Sequence, residues 1–166
     1  MLATAAVAQV LSGLARSQAS MAARYLAAEM AAARSRAVMG AAAIGIRFGD
    51  SGTGYEMALY ADGNRNGLRT RDIADGTDRL LRQGERLSDR FPGVTVALVP
   101  DAGLAGDPVK LGGSRLLTFT PAGTATPGSV YIRGRDGSQF VVRITGATGR
   151  TRVERLLVRR ATWGRL

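Results

Sequence analysis

From Ala3 to Val38 nothing interrupts a helix: alanine dominates, proline is absent, and Gly13 is the only glycine before Gly40. Alanine has the strongest helix propensity, so one long helix is predicted, with Gly40 as its stop. At about 1.5 Å per residue it would run roughly 50 Å, more than a compact domain of this size needs, so one end should project. The first end is the candidate, because Met1 to Ala15 is uncharged and mostly small or apolar. Larger side chains at Val7, Leu11, Leu14, Met21 and Tyr25 recur at helical spacing and predict a narrow apolar stripe, with Arg16, Arg24, Arg34 and Arg36 lying away from it.

A membrane span needs about 20 apolar residues, and the uncharged stretch falls short of that. Two readings follow. One is a secretory signal with Ala6-Val7-Ala8 as its cleavage site, although the basic start such signals carry is missing. The other is the rear of a membrane helix whose front is absent, with Met1 an internal start.

Beyond Gly40 the pattern turns from helical to alternating, and 22 glycines point to a sheet with many tight turns. Strands are predicted at about Ala43–Phe48, Tyr55–Tyr60, Val94–Val99, Leu116–Thr120, Ser129–Arg133, Phe140–Thr145 and Arg152–Val158. Arg135-Asp136-Gly137-Ser138 is the clearest hairpin turn. Asp78 to Ser88, broken at Gly84, reads as a polar loop with a short helix, and Asp101 to Gly113 as a long flexible connection. The expected fold is α+β, a long N-terminal helix over residues 1–40 packed on an antiparallel β head over residues 41–166. At 166 residues the chain can bury one core and scarcely two.

Histidine and cysteine are both absent. That removes histidine acid/base catalysis, cysteine nucleophiles, disulfides and ordinary zinc sites, so no enzyme activity and no cofactor is expected. The serines have no activating base, and no phosphate-binding G-x-x-x-x-G-K run occurs. Asp62, Asn64 and Asn66 place oxygen side chains at positions 1, 3 and 5 of a loop with Gly67 at 6, as a calcium loop would. Position 12 is Ile73, however, and Arg65, Arg69 and Arg71 add positive charge, so a plain turn is the better reading and no metal is expected. Asp72, Asp75 and Asp78 each lie near an arginine in sequence and read as a solvated loop.

The chain carries a formal charge of +10, and Lys110 is its one lysine. Residues 40–100 balance, whereas the last 27 hold seven arginines against Glu154 alone. Arg150 and Arg152, two apart, would point to one face of a strand, and Arg143, Arg155, Arg159 and Arg160 complete a basic C-terminal group. Guanidinium groups pair with phosphates in fork geometry, which makes a polyanion such as DNA a physically reasonable partner. Coding bias toward arginine would give a similar surface.

Four segments are suggestive in combination. Ala32-Ala33-Arg34-Ser35-Arg36-Ala37-Val38, Asp62-Gly63-Asn64-Arg65-Asn66-Gly67, Phe119-Thr120-Pro121-Ala122-Gly123-Thr124 and Gly149-Arg150-Thr151-Arg152 occur in this order. With the helix-then-sheet layout they resemble the GspH/FimT family of minor pseudopilins across nearly the whole chain. The resemblance implies a membrane-inserted precursor, trimmed by a prepilin peptidase, whose head lies in the periplasm and whose partners are other pseudopilins or pilins of one fibre. It implies a structural subunit of a type II secretion pseudopilus or a type IV pilus-like fibre. In the FimT-like branch it implies DNA binding through a Gly-Arg-x-Arg motif, which falls on Gly149, Arg150 and Arg152. One departure is large: the family's G-F-T-L-I-E signal and full apolar span are missing, so this chain would meet a membrane only through a segment it lacks and is expected to be soluble as given.

Overall fold

A computed structural model describes residues 2–100, 104–157 and 162–165. The predicted helix is continuous as α1 (Leu2–Gly40), about 58 Å at the α-helical rise. Gly40 ends it, but the left-handed residue that turns the chain away is Ala41, at φ +48°. The head follows in the order β1 (Ile44–Asp50), β2 (Tyr55–Ala61), α2 (Thr70–Ala74), β3 (Arg79–Arg86), α3 (Leu87–Arg90), β4 (Thr95–Val96), β5 (Val109–Lys110), β6 (Leu116–Phe119), β7 (Gly128–Arg133), β8 (Gln139–Thr145), β9 (Arg150–Leu157) and β10 (Thr162–Arg165). Two antiparallel sheets result, β3-β2-β1-β6 and β10-β9-β8-β7-β4, with β5 also paired to β7. The α+β architecture is the one expected.

α1 lies across both sheets, touching β1 and β6 of the first and β7, β8 and β9 of the second. Alternation along the strands supplies the surface it covers: Ile44, Ile46 and Phe48 on β1, Val130 and Ile132 on β7, and Phe140, Val142 and Ile144 on β8 all join one core. The helix residues in that core are Ala19, Ala22, Ala23, Leu26, Met30, Ala33 and Ala37. This overturns the predicted stripe, since Leu11, Leu14 and Met21 are exposed, Leu11 by 60%. The buried line runs roughly a third of a turn around the helix from them. Five alanines among these seven residues let the helix axis approach two sheets at once, whereas Leu11 and Leu14 point to solvent on the turns before Arg16. Burial along the described side chains of α1 begins at Ala19, and those from Leu11 to Leu14 are exposed.

The segment Asp78–Ser88, which reads as a polar loop with a short helix, is mostly the edge strand β3, and the short helix is α3 at its end, with Leu87 buried. Its sequence lacks alternation because an edge strand has little core to face, and Leu80 and Leu81 are both about half exposed. Register shifts against β2 absorb the irregularity. The connection Asp101–Gly113 is also more ordered than expected, from Leu104 onward. Its Val109 and Leu111 are buried, β5 pairs with β7, and Asp107 accepts hydrogen bonds from the Tyr55 hydroxyl at 2.9 Å and the Arg115 guanidinium at 2.6 Å. The third predicted strand shrinks to Thr95–Val96, and the seventh ends at Leu157, its Val158 lying outside the described residues.

The loop from Asp62 to Asp78 covers the far face of the first sheet, where Ala43, Leu68, Ile73 and Leu116 form a second small core. Asp62 is nearly buried and its two carboxylate oxygens accept the N–H groups of Asn64, Arg65 and Gly67 at 3.2, 2.7 and 2.8 Å. Asn64 Oδ1 likewise accepts from the Asn66 N–H at 3.1 Å. Of the side chains that mimic a calcium loop, Asp62 and Asn64 thus turn their oxygens onto backbone amides. Asp78, expected in a solvated loop, is 2% exposed and accepts the N–H groups of Gly63 and Arg69, and Asp72 is buried as well. Only Asp75 of the three is exposed. Gly63 is obligatory in this packing, because a Cβ there would lie 1.9 Å from the Thr77 carbonyl oxygen.

Candidate nucleic-acid interface and assembly surfaces

Strand alternation decides which arginines can act together. In the β8–β9 ladder Arg150 opposes Thr145, Arg152 opposes Arg143 and Glu154 opposes Val141, so Arg143, Arg150 and Arg152 share the face of the second sheet turned away from α1. Arg133 and Lys110 lie on the same face, the latter with its ammonium 5.3 Å from the Tyr131 ring centroid. Glu154 stands among them. Its carboxylate takes Arg143 at 2.7 Å and Arg152 at 3.0 Å, and the bond to Glu154 favours the charged form of Arg143 still further. Arg150 is exposed.

The remaining predicted residues do not join this group. Arg155 faces the other way, opposite Phe140, in a groove between β9 and α1. Arg159 and Arg160 fall outside the described residues. The basic tail that looked like a single patch is thus divided between two faces of one sheet.

Gly149 has a structural role that the motif reading did not contain. It turns the β8–β9 hairpin at φ +60°, and a Cβ there would lie 2.5 Å from the Gly123 carbonyl oxygen and 2.9 Å from Arg34 Cδ. Arg34 Nε donates to that same carbonyl at 3.1 Å. Three segments far apart in sequence, around Arg34, Gly123 and Gly149, therefore converge on one point where helix meets head. Sequence reasoning placed Arg34 merely off the apolar stripe; the only signal for its role was its presence in one of the four quoted segments.

A second junction was also missed. Tyr25 donates to Glu85, Glu29 pairs with Arg82 at 2.6 Å, and Arg90 sits 4.8 Å from the Tyr25 ring centroid, which joins α1 to β3 and α3. Burial, reinforced by the hydrogen bond to Glu85, pushes the Tyr25 phenol up to about 12. Arg16 reaches Asp136 in the β7–β8 turn at 3.6 Å. Among the described residues no group of three acidic, histidine or cysteine side chains could hold a metal ion, and no helix is long and apolar enough to cross a membrane.

Comparison with known proteins adds to this geometry. A family model described as type II transport protein GspH matches residues 22–149. The fold is similar to that of the minor pseudopilin EpsH from the type 2 secretion system of Vibrio cholerae, with a TM-score of 0.51 at 15% identity, covering 82% of this chain and 95% of that one. No curated protein matches the sequence.

Proposed function

The chain belongs to the GspH family of type II transport proteins, and on that premise we propose that it is a minor pseudopilin, a structural subunit of a type II secretion pseudopilus. One observation carries the reading: the head buries α1 along one line from Ala19 to Ala37 while Leu11 and Leu14 stay exposed, as in a helix that completes its packing against neighbouring subunits. In this reading residues 1–40 are the stalk, residues 41–166 the head, the partners are other pseudopilins of the same fibre, and the head faces the periplasm at the inner membrane. Such a subunit works by packing and needs no catalytic residue. The test is deletion of the gene in its host. Export of type II substrates should fall, the wild-type chain should restore it, and Leu14→Asp should not. Normal export in the deletion strain refutes the proposal.

A second reading has its own support, the shared face of Arg143, Arg150 and Arg152 with Arg133 and Lys110. Under it the head binds DNA without sequence preference. Double-stranded fragments should then shift at low salt and be released as salt rises, and Arg150→Ala with Arg152→Ala should weaken the shift for every sequence alike. Because Glu154 already engages two of the arginines, Glu154→Gln should strengthen it. No shift at low ionic strength removes this reading.

A further inference from the structure

Between α1 and β9 runs a groove of about 420 Å³ lined by Arg16, Arg24 and Arg155 together with Ser17, Ser20 and Met21. Phe140 forms its floor and is almost wholly buried. Three arginines thus line one cleft. Arg16 is partly engaged by Asp136 at 3.6 Å, whereas neither Arg24 nor Arg155 is in an ion pair among the described residues. Like charges gathered this way repel one another and are stabilised by an anion between them. Two serine hydroxyls add neutral donors beside them.

We propose that this groove binds the headgroup of an anionic phospholipid. The choice of occupant rests on where the cleft lies. Residues 1–15 contain no charge, Leu11 and Leu14 are exposed on the turns just before Arg16, and Met21 is exposed at the groove itself. An apolar helical end followed at once by arginines is the arrangement of a segment whose first part meets acyl chains and whose basic part meets phosphates. A second copy of the chain is a poor occupant, because α1 carries four arginines against Glu29 and would bring more positive charge to the cleft. The inference stands on this cleft and not on membership of any fibre, so lipid binding and export can fail independently.

The experiment is co-sedimentation of the full chain with phosphatidylcholine vesicles made with and without phosphatidylglycerol. Binding is expected only with phosphatidylglycerol, and Arg24→Gln with Arg155→Gln should weaken it about tenfold or more, from roughly 1 kcal/mol per arginine at an anionic surface. Arg24→Lys with Arg155→Lys should bind nearly as wild type, and melting curves should show all variants folded. The outer-face pair Arg150→Gln with Arg152→Gln is the control. An equal loss in that pair means general charge attraction and overturns the proposal. So does equal binding to neutral vesicles, or displacement of the vesicles by polyglutamate at matched charge, which would assign the cleft to an acidic protein segment.

Discussion

Replacing Gly149 by alanine perturbs the point where three distant segments meet, and its cost can be worked from the geometry. The residue sits at φ +60°, a conformation that costs a side-chain-bearing residue about 1–2 kcal/mol. The added Cβ would also lie 2.5 Å from the Gly123 carbonyl oxygen and 2.9 Å from Arg34 Cδ. Backbone cannot yield as a flexible side chain does, and overpacking of this kind costs about 1–3 kcal/mol more. Gly137 offers a matched control: it turns the neighbouring hairpin at φ +79° with nothing within 4 Å of its would-be Cβ, so Gly137→Ala carries the dihedral cost alone.

For a chain of this size about 1 kcal/mol moves Tm by roughly 2–4 °C, so Gly149→Ala should melt about 10 °C below wild type and Gly137→Ala about 4 °C below. Thermal denaturation followed by circular dichroism reads both. Equal losses in the two variants would refute the reasoning, because the contact with Gly123 and Arg34 would then contribute nothing. The result also bears on the Gly-Arg-x-Arg motif, whose glycine on this account serves the hairpin rather than a ligand.

Other perturbations separate the buried from the exposed parts of the molecule. Asp62→Ala removes the acceptor for three backbone N–H groups and should cost about 3 kcal/mol in urea denaturation, at about 1 kcal/mol per hydrogen bond, while added calcium leaves the wild-type midpoint unmoved. Ala22→Leu, on the buried line of α1, should destabilise by about 1–3 kcal/mol through overpacking, whereas Leu14→Ser should stay within about 0.5 kcal/mol. Burial and the hydrogen bond to Glu85 raise the Tyr25 phenol to about 12, so the folded state favours its neutral form. That contribution is complete below the ordinary value of 10.0, fades as pH rises toward 12, and should vanish in Tyr25→Phe when stability is followed across the alkaline range.

What could be read from the sequence followed from strong local signals. Alanine without proline gave α1, and alternation gave the buried strands β1, β2, β7 and β8 nearly to the residue. The face of α1 could not be read that way, because hydrophobic periodicity weighs large side chains and five of the seven seam residues are alanine, with only Leu26 and Met30 large. β3 was hidden for a related reason: an edge strand with Leu80 and Leu81 side by side has no alternation to detect. Spacing placed Arg150 and Arg152 on one face correctly, but parity alone puts Arg155 on the other. The burial of Asp62 and Asp78 depends on backbone amides brought round by the loop, that of Asp72 goes with the Asn64 side-chain amide, and no property of their neighbours in sequence announces it.

The alanine seam leaves a question of register that the polar contacts resolve. A line in which five of seven residues are alanine adheres to a sheet, yet with Leu26 and Met30 as its two large side chains it distinguishes poorly between one seating of the helix and another shifted by a turn of about 5.4 Å. Arg16, Tyr25, Glu29 and Arg34 each reach a fixed partner in the head, Asp136, Glu85, Arg82 and the Gly123 carbonyl. Partly exposed ion pairs contribute about 0–1 kcal/mol each, too little to hold the helix down. Their spacing along the helix, however, can be met by one seating only, so adhesion comes from the buried line and position from the polar contacts. Glu29→Ala combined with Arg34→Ala should therefore lower stability by only about 1–2 kcal/mol. The same variant should broaden the amide resonances of the β8–β9 turn and of β3 as the helix samples more than one seating. Sharp, unshifted resonances there would show that the alanine seam fixes the register unaided.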